Sequence, residues 1–130
     1  MGKRTTARRL AMQTLFQLDM GQDNLEFALT SAAETENFLD DTVDFARELV
    51  HGTWESREAI DKLIAEKSIG WSLERITGVD KAILRLAIYE IQFIKTPASV
   101  VINEAVNLAK KFSTEDSSKF VNGILGSLVK

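Results

Sequence analysis

Four bases, Lys3, Arg4, Arg8 and Arg9, stand within the first nine residues, and no acid accompanies them. Cations at that density on a helix start suit polyanion binding, because each can neutralise a phosphate; the competing reading is a solvated basic tail. Toward the other end, Lys110, Lys111 and Lys119 lie beside Phe112 and Phe120. Cations next to aromatic rings can hold phosphates while unpaired bases stack. Spacing alone reads the same two rings as core. Arg85 and Glu90 interrupt the most apolar stretch of the chain. Their expected job is to neutralise buried charge, Arg85 by pairing with Glu104. Catalysis has little to work with. The seven glycines form neither GxGxxG nor GxxxxGK. The neighbouring acids Glu34/Glu36 and Asp40/Asp41 read as a solvated face.

The composition narrows the field further. No cysteine is present, which removes disulfides, thiolate metal sites and cysteine nucleophiles. His51 is the only histidine, too few for a His-based triad or a multi-His metal site, and it reads as a partly buried structural residue. Neither a metal nor a cofactor is expected. No apolar run approaches the ~20 residues that span a bilayer. Gln13, Gln17 and Asp19 interrupt what would be a signal-peptide core, and the short acylation pattern at Gly2–Thr6 is of a kind that arises by chance. A cytoplasmic protein without membrane contact is expected. The net charge of -3 argues at first sight against a nucleic-acid partner. Partitioned along the chain it becomes +4 over residues 1–9, -10 over 10–66 and +3 over 67–130. Both ends are positive.

The elements that must position these residues are helical almost throughout. A first helix is expected from Thr5 or Thr6, either able to cap it, through Leu10, Ala11, Thr14, Leu15 and Leu18 to a stop at Gly21. A second fits 24–34, and a third, long one runs from Asp40 to Lys67 across Gly52. Gly70, Ser72 and Gly78 punctuate the middle, with one helical turn at Ser72–Ile76 and a boundary between subdomains 1–67 and 68–130. The stretch 80–95 is apolar on more than one face, so other helices should surround it. Thr96-Pro97 reads as cap plus first-turn proline. Ser113 and Asp116 have capping-box spacing and open a last helix toward Leu128. The expectation is an all-α compact bundle of six to seven helices in two small subdomains forming one domain.

Three blocks then carry a resemblance. ARRLAMQTLFQLD at 7–19, VDKAILRLAIYEI at 79–91 and INEAVNLAKKFSTEDSSKFVNGIL at 102–125 resemble the NusB transcription antitermination factors, in order and over nearly the whole chain. The resemblance implies an RNA-binding adaptor that works with NusE, a small-subunit ribosomal protein. Together they recognise the boxA element of single-stranded leader RNA and keep RNA polymerase elongating through ribosomal RNA operons as part of an antitermination complex. It places the family's basic N-terminus on Lys3, Arg4, Arg8 and Arg9, and its aromatic on Phe16. Phe112, Ser113, Asp116, Lys119 and Phe120 would line the RNA surface, with Lys110 beside them. Asp80 would match an acidic position near RNA and partner. Phe120 thereby shifts from core to stacking platform. Thr5 and Thr6 interrupt a run that is denser in the family, and Phe16 replaces a common tyrosine, which implies weaker binding in isolation. The alternative is a non-catalytic helical adaptor or homodimeric interaction protein, related to the RNA-binding module of ribosomal RNA methyltransferases.

Overall fold

The computed structural model describes residues 2–68 and 76–129. Among them are seven helices and no strand: α1 (Lys3–Asp19), α2 (Leu25–Ala33), α3 (Asp40–Glu55), α4 (Arg57–Lys67), α5 (Gly78–Gln92), α6 (Ala98–Phe112) and α7 (Glu115–Leu128). The all-α expectation holds. Of the expected turn at Ser72–Ile76, all but Ile76 lies outside the described residues.

α5 is the axis of the bundle. Ala82, Ile83, Leu84, Leu86, Ala87 and Ile88 are all buried, so its apolar positions point in every direction. Only a helix enclosed by others can bury such a set, and α5 packs against α1, α3, α4, α6 and α7. α1 lies against α2, α3 and α5 through Leu10, Ala11, Thr14, Leu15 and Leu18. It therefore joins the two halves of the chain. Its stop falls where expected: Gly21 takes φ +114°, a left-handed conformation that a side chain would strain.

Several boundaries differ from the sequence reading, each for a local reason. α1 starts at Lys3, with Gly2 as its cap; Thr6 instead turns its hydroxyl back to the Gly2 carbonyl. The long third helix is two helices, broken at Ser56. There the Arg57 guanidinium lies over the Trp54 ring and donates to the Trp54 carbonyl at 2.7 Å, adding a side-chain donor to the backbone N–H that caps the same acceptor. The break lets Ile60 and Ile64 of α4 reach the core. Thr96 does not cap α6, since its hydroxyl and amide both turn to Glu90; Pro97 is the cap instead. The last helix begins one residue later than Ser113–Asp116 would have it. Thr114 caps it by accepting from the Ser117 amide at 3.0 Å, and Ser113 terminates α6.

Gly52 sits in α3 because the Tyr89 ring of α5 packs directly on its Cα, leaving no space for a Cβ. Tyr89 is itself stacked on Phe93, with ring centroids 5.6 Å apart. Helix propensity alone would make Gly52→Ala stabilising by about 1 kcal/mol. Overpacking opposes that by about 1–3 kcal/mol. The expected result is a net loss of about 1 kcal/mol in urea denaturation, and a gain would show that Tyr89 moves freely.

Candidate RNA-binding surface

The two positive ends of the sequence meet in space. Arg9, Gln13 and Phe16 follow one another along one face of α1 at helical spacing. Opposite them, the last turn of α6 presents Lys111 and Phe112. Arg9, Lys111 and Phe112, with Thr5, Glu104 and Asn107, line a cavity of about 130 Å³. A second cavity of about 350 Å³ lies on the other side of the Phe112 ring, lined by Gln13, Phe16, Gln17, Thr35 and Val79. Phe112 belongs to both. Lys111 Nζ is 5.6 Å from the centroid of that ring, a cation–π distance. One aromatic therefore joins an apolar, amide-rimmed recess to one lined by two cations and the Glu104 carboxylate.

Phe16 reaches this place because α5 begins with Gly78, where a Cβ would lie 2.8 Å from the Phe16 ring. Thr77 caps that helix, its hydroxyl accepting from the Asp80 amide at 3.3 Å. Asp80 stands on the first turn, where the helix dipole favours a carboxylate. It is only 5% exposed, and its Oδ1 has no hydrogen-bond partner among the described residues.

The remaining expected residues divide. Lys110 and Lys119 face each other across a groove of about 470 Å³ between α6 and α7, with Asn103 and Asn122 along it. Asp116 is exposed on the first turn of α7. Ser113 Oγ is engaged with Ser117 Oγ at 2.8 Å. Phe120 is half-buried against the core. Lys3 and Arg4 are exposed at the start of α1.

Arg8 departs from the expected phosphate contact. It is 4% exposed, and its Nε and Nη2 donate to the two carboxylate oxygens of Glu90 at 2.8 and 2.9 Å. Glu104 lies 3.8 Å from its Nη1, and these bonds raise the guanidinium pKa further. The reason is helical phase. Arg8 shares its face with Ala11, Met12 and Leu15, all buried, whereas Arg9 is turned by about 100° toward the cavities. Arg85 also has partners other than the expected Glu104. It forks onto Asp61 with two bonds of 2.8 Å and reaches Asp19 at 3.1 Å. Burial works against its charge, and these carboxylates more than compensate. Glu104 instead accepts from the Thr5 hydroxyl at 2.9 Å. His51 is half-exposed and meets Glu26 at 3.1 Å, tying α3 to α2. The sequence points to Lys111 through its place beside Phe112, but not to Asn107, Gln13 and Gln17 as lining residues. The i, i+4 pairs Asn107/Lys111 and Arg9/Gln13 were the available signal.

Among the described residues no helix is long and apolar enough to cross a membrane. Comparison with known proteins gives one answer. Residues 5–130 match the NusB family. The transcription antitermination protein NusB of Symbiobacterium thermophilum is 47% identical, over 98% of this chain and 89% of that protein. Among solved structures, T. maritima NusB is 39% identical with a TM-score of 0.86, over 96% of this chain and 89% of that one. A crystal structure of the antitermination factors NusB and NusE in complex with double-stranded RNA has a NusB-like chain that matches with a TM-score of 0.89 and 30% identity, covering 97% of this chain and 95% of that one. The fold, the near-complete coverage and the identities agree, and the chain belongs to the NusB family of transcription antitermination proteins, which are not enzymes.

Proposed function

We propose that this chain binds boxA-type single-stranded leader RNA of ribosomal RNA operons together with NusE, in the cytoplasm, and so supports processive elongation by RNA polymerase. The observation that carries the reading is the meeting of Arg9, Lys111 and Phe112 at one cavity, which unites the two positive ends of the chain. The similar structure that holds NusB, NusE and RNA supports it. That structure contains double-stranded RNA; an exposed aromatic edge flanked by amides favours unpaired bases here, because rings in a duplex are already stacked.

Two contributions make up the mechanism. Lys3, Arg4, Arg9 and Lys111 neutralise phosphates, and about four such contacts to a single strand give a log–log salt slope of about -3. That attraction is blind to sequence and alone reaches only ~10⁻⁴–10⁻⁶ M at physiological salt. A base stacked on Phe112 or Phe120 adds ~1–3 kcal/mol. Asp116 reads base edges in this proposal, with Ser113 through the oxygen left free by its bond to Ser117, and Lys110 of α6 and Lys119 of α7 extend the cationic track. The total leaves room for a partner. NusE extends the positive surface and fixes the RNA path; Asp80 at the head of α5 and Phe16 of α1, packed on Gly78, are the acidic and aromatic positions assigned near both. The chain divides into subdomains 1–67 and 68–130 in this proposal, with the RNA surface where α1 meets α6. Titration with boxA and scrambled RNA, with and without NusE, tests it. A self-association that buries the N-terminus is the competing reading, and light scattering with and without RNA separates the two.

A further inference from the structure

The acidic stretch of the chain folds back onto its basic start. Arg9 donates from Nη1 and Nη2 to the two carboxylate oxygens of Glu36 at 2.7 and 2.9 Å. Lys3 Nζ lies 2.8 Å from Asp41 Oδ2. The Arg4 guanidinium sits 4.2 Å from the centroid of Phe45, and that of Arg9 sits 5.6 Å from Phe38. The connection between α2 and α3 and the first turns of α3 thus wrap the first turns of α1. Every surface base of the N-terminus has a partner there. The bond from Arg9 holds the Glu36 carboxyl below its usual range, and the bond from Lys3 does the same for Asp41. Both are ionised at neutral pH. Their ties are lost only as the pH falls through those lowered values.

We propose that Glu36 and Asp41 are internal competitors that occupy two phosphate positions, on Arg9 and Lys3, so that an RNA strand enters by displacing them. This rests on the RNA-binding reading above. A guanidinium fork accepts a carboxylate and a phosphate with the same two-bond geometry, so the two anions exclude each other. Displacement is feasible because both carboxylates are open to solvent: Lys3 and Asp41 are each 62% exposed, and Glu36 is 50% exposed over an Arg9 side chain that is itself 14% exposed. The Lys3–Asp41 pair is therefore weak and opens readily, and the Arg9–Glu36 pair opens from its carboxylate side, unlike the Arg8–Glu90 pair, which is buried on both sides. The positions of the two carboxylates also trace the path of the strand, across the start of α1 toward Lys111, which is close enough to Glu36 to help hold its charge.

The test uses the full chain with Glu36→Gln and Asp41→Asn, singly and together, against boxA RNA, scrambled RNA of the same length, and heparin. Glu34→Gln is the control. It removes the same charge from an exposed residue that makes no ion pair among the described residues. Each carboxylate removed should tighten binding about two- to threefold, and the pair together about fourfold to ninefold, the range set by exposed ion pairs. The factor should be the same for both RNAs and for heparin, because all must displace the same two groups. A gain no larger than that of Glu34→Gln overturns the proposal, since it would reflect overall charge. Weaker binding by the double variant also overturns it, since the carboxylates would then be ordering the bases for RNA. If heparin binding tightens as expected while no form binds either RNA, the competition stands and the RNA-binding reading fails.

Discussion

Replacing Arg8 with alanine should lower the stability of the fold by about 3–5 kcal/mol. The Arg8 and Glu90 side chains are 5% and 1% exposed, so removal of the guanidinium strands a carboxylate inside the bundle. Thr96 offers that carboxylate a single long contact of 3.4 Å, far short of what a charge needs. The loss should appear as a fall of about 10–20 °C in melting temperature and a lower urea midpoint. Removing both partners at once, as Arg8→Met with Glu90→Leu, should recover most of the loss, because two apolar side chains leave no buried charge. The pair also ties α1 to α5, which the apolar core already packs together. A stable Arg8→Ala variant whose RNA binding has a flatter salt slope would return Arg8 to the phosphate surface and contradict its placement here.

The second large effect concerns Phe112. Leucine at this position keeps most of the apolar volume packed against the core and removes the ring face. If a base stacks there, Phe112→Leu should weaken boxA binding by ~1–3 kcal/mol, roughly fivefold to 150-fold, with an unchanged salt slope. Arg9→Ala should behave in the opposite manner. Its loss flattens the slope by about 0.7 and affects boxA and scrambled RNA alike. Fluorescence titration across a salt series reads both quantities in one experiment. A Phe112→Leu variant that binds boxA as tightly as the unaltered chain would make the ring a packing residue only. Phe120 is a poorer probe, because it is half-buried against the core and its replacement also reports on stability.

The helical architecture was readable because its signals are local. The apolar period of α1, the all-round hydrophobicity of α5 and the stop at Gly21 each lie within a few residues of what they determine. The break at Ser56 was not readable in that way, since no proline or helix-ending glycine marks it and the Arg57–Trp54 contact that settles it belongs to the folded form. Partner choice was harder still. Arg85 selects Asp61 and Asp19, at separations of 24 and 66 residues, and nothing in the sequence ranks those acids above Glu104. Arg8 is the instructive case. Its spacing to Ala11, Met12 and Leu15 puts it on the buried face of α1, while its charge and its place in a basic run suggest the surface. Periodicity was the better guide. Segregation of charge was visible from the outset, but its closure was not: only the fold shows the negative stretch resting on the positive start through Glu36 and Asp41.

On the proposed function, the surface built by Arg9, Lys111 and Phe112 reads RNA with help from a partner. The most direct test is a fluorescence titration of boxA and scrambled RNA, with and without NusE, over a series of salt concentrations. The chain alone should bind both RNAs weakly, with a slope of about -3. NusE should tighten boxA binding by far more than it tightens scrambled RNA. Equal boxA affinity with and without NusE, or an equal gain for both RNAs, would contradict the account.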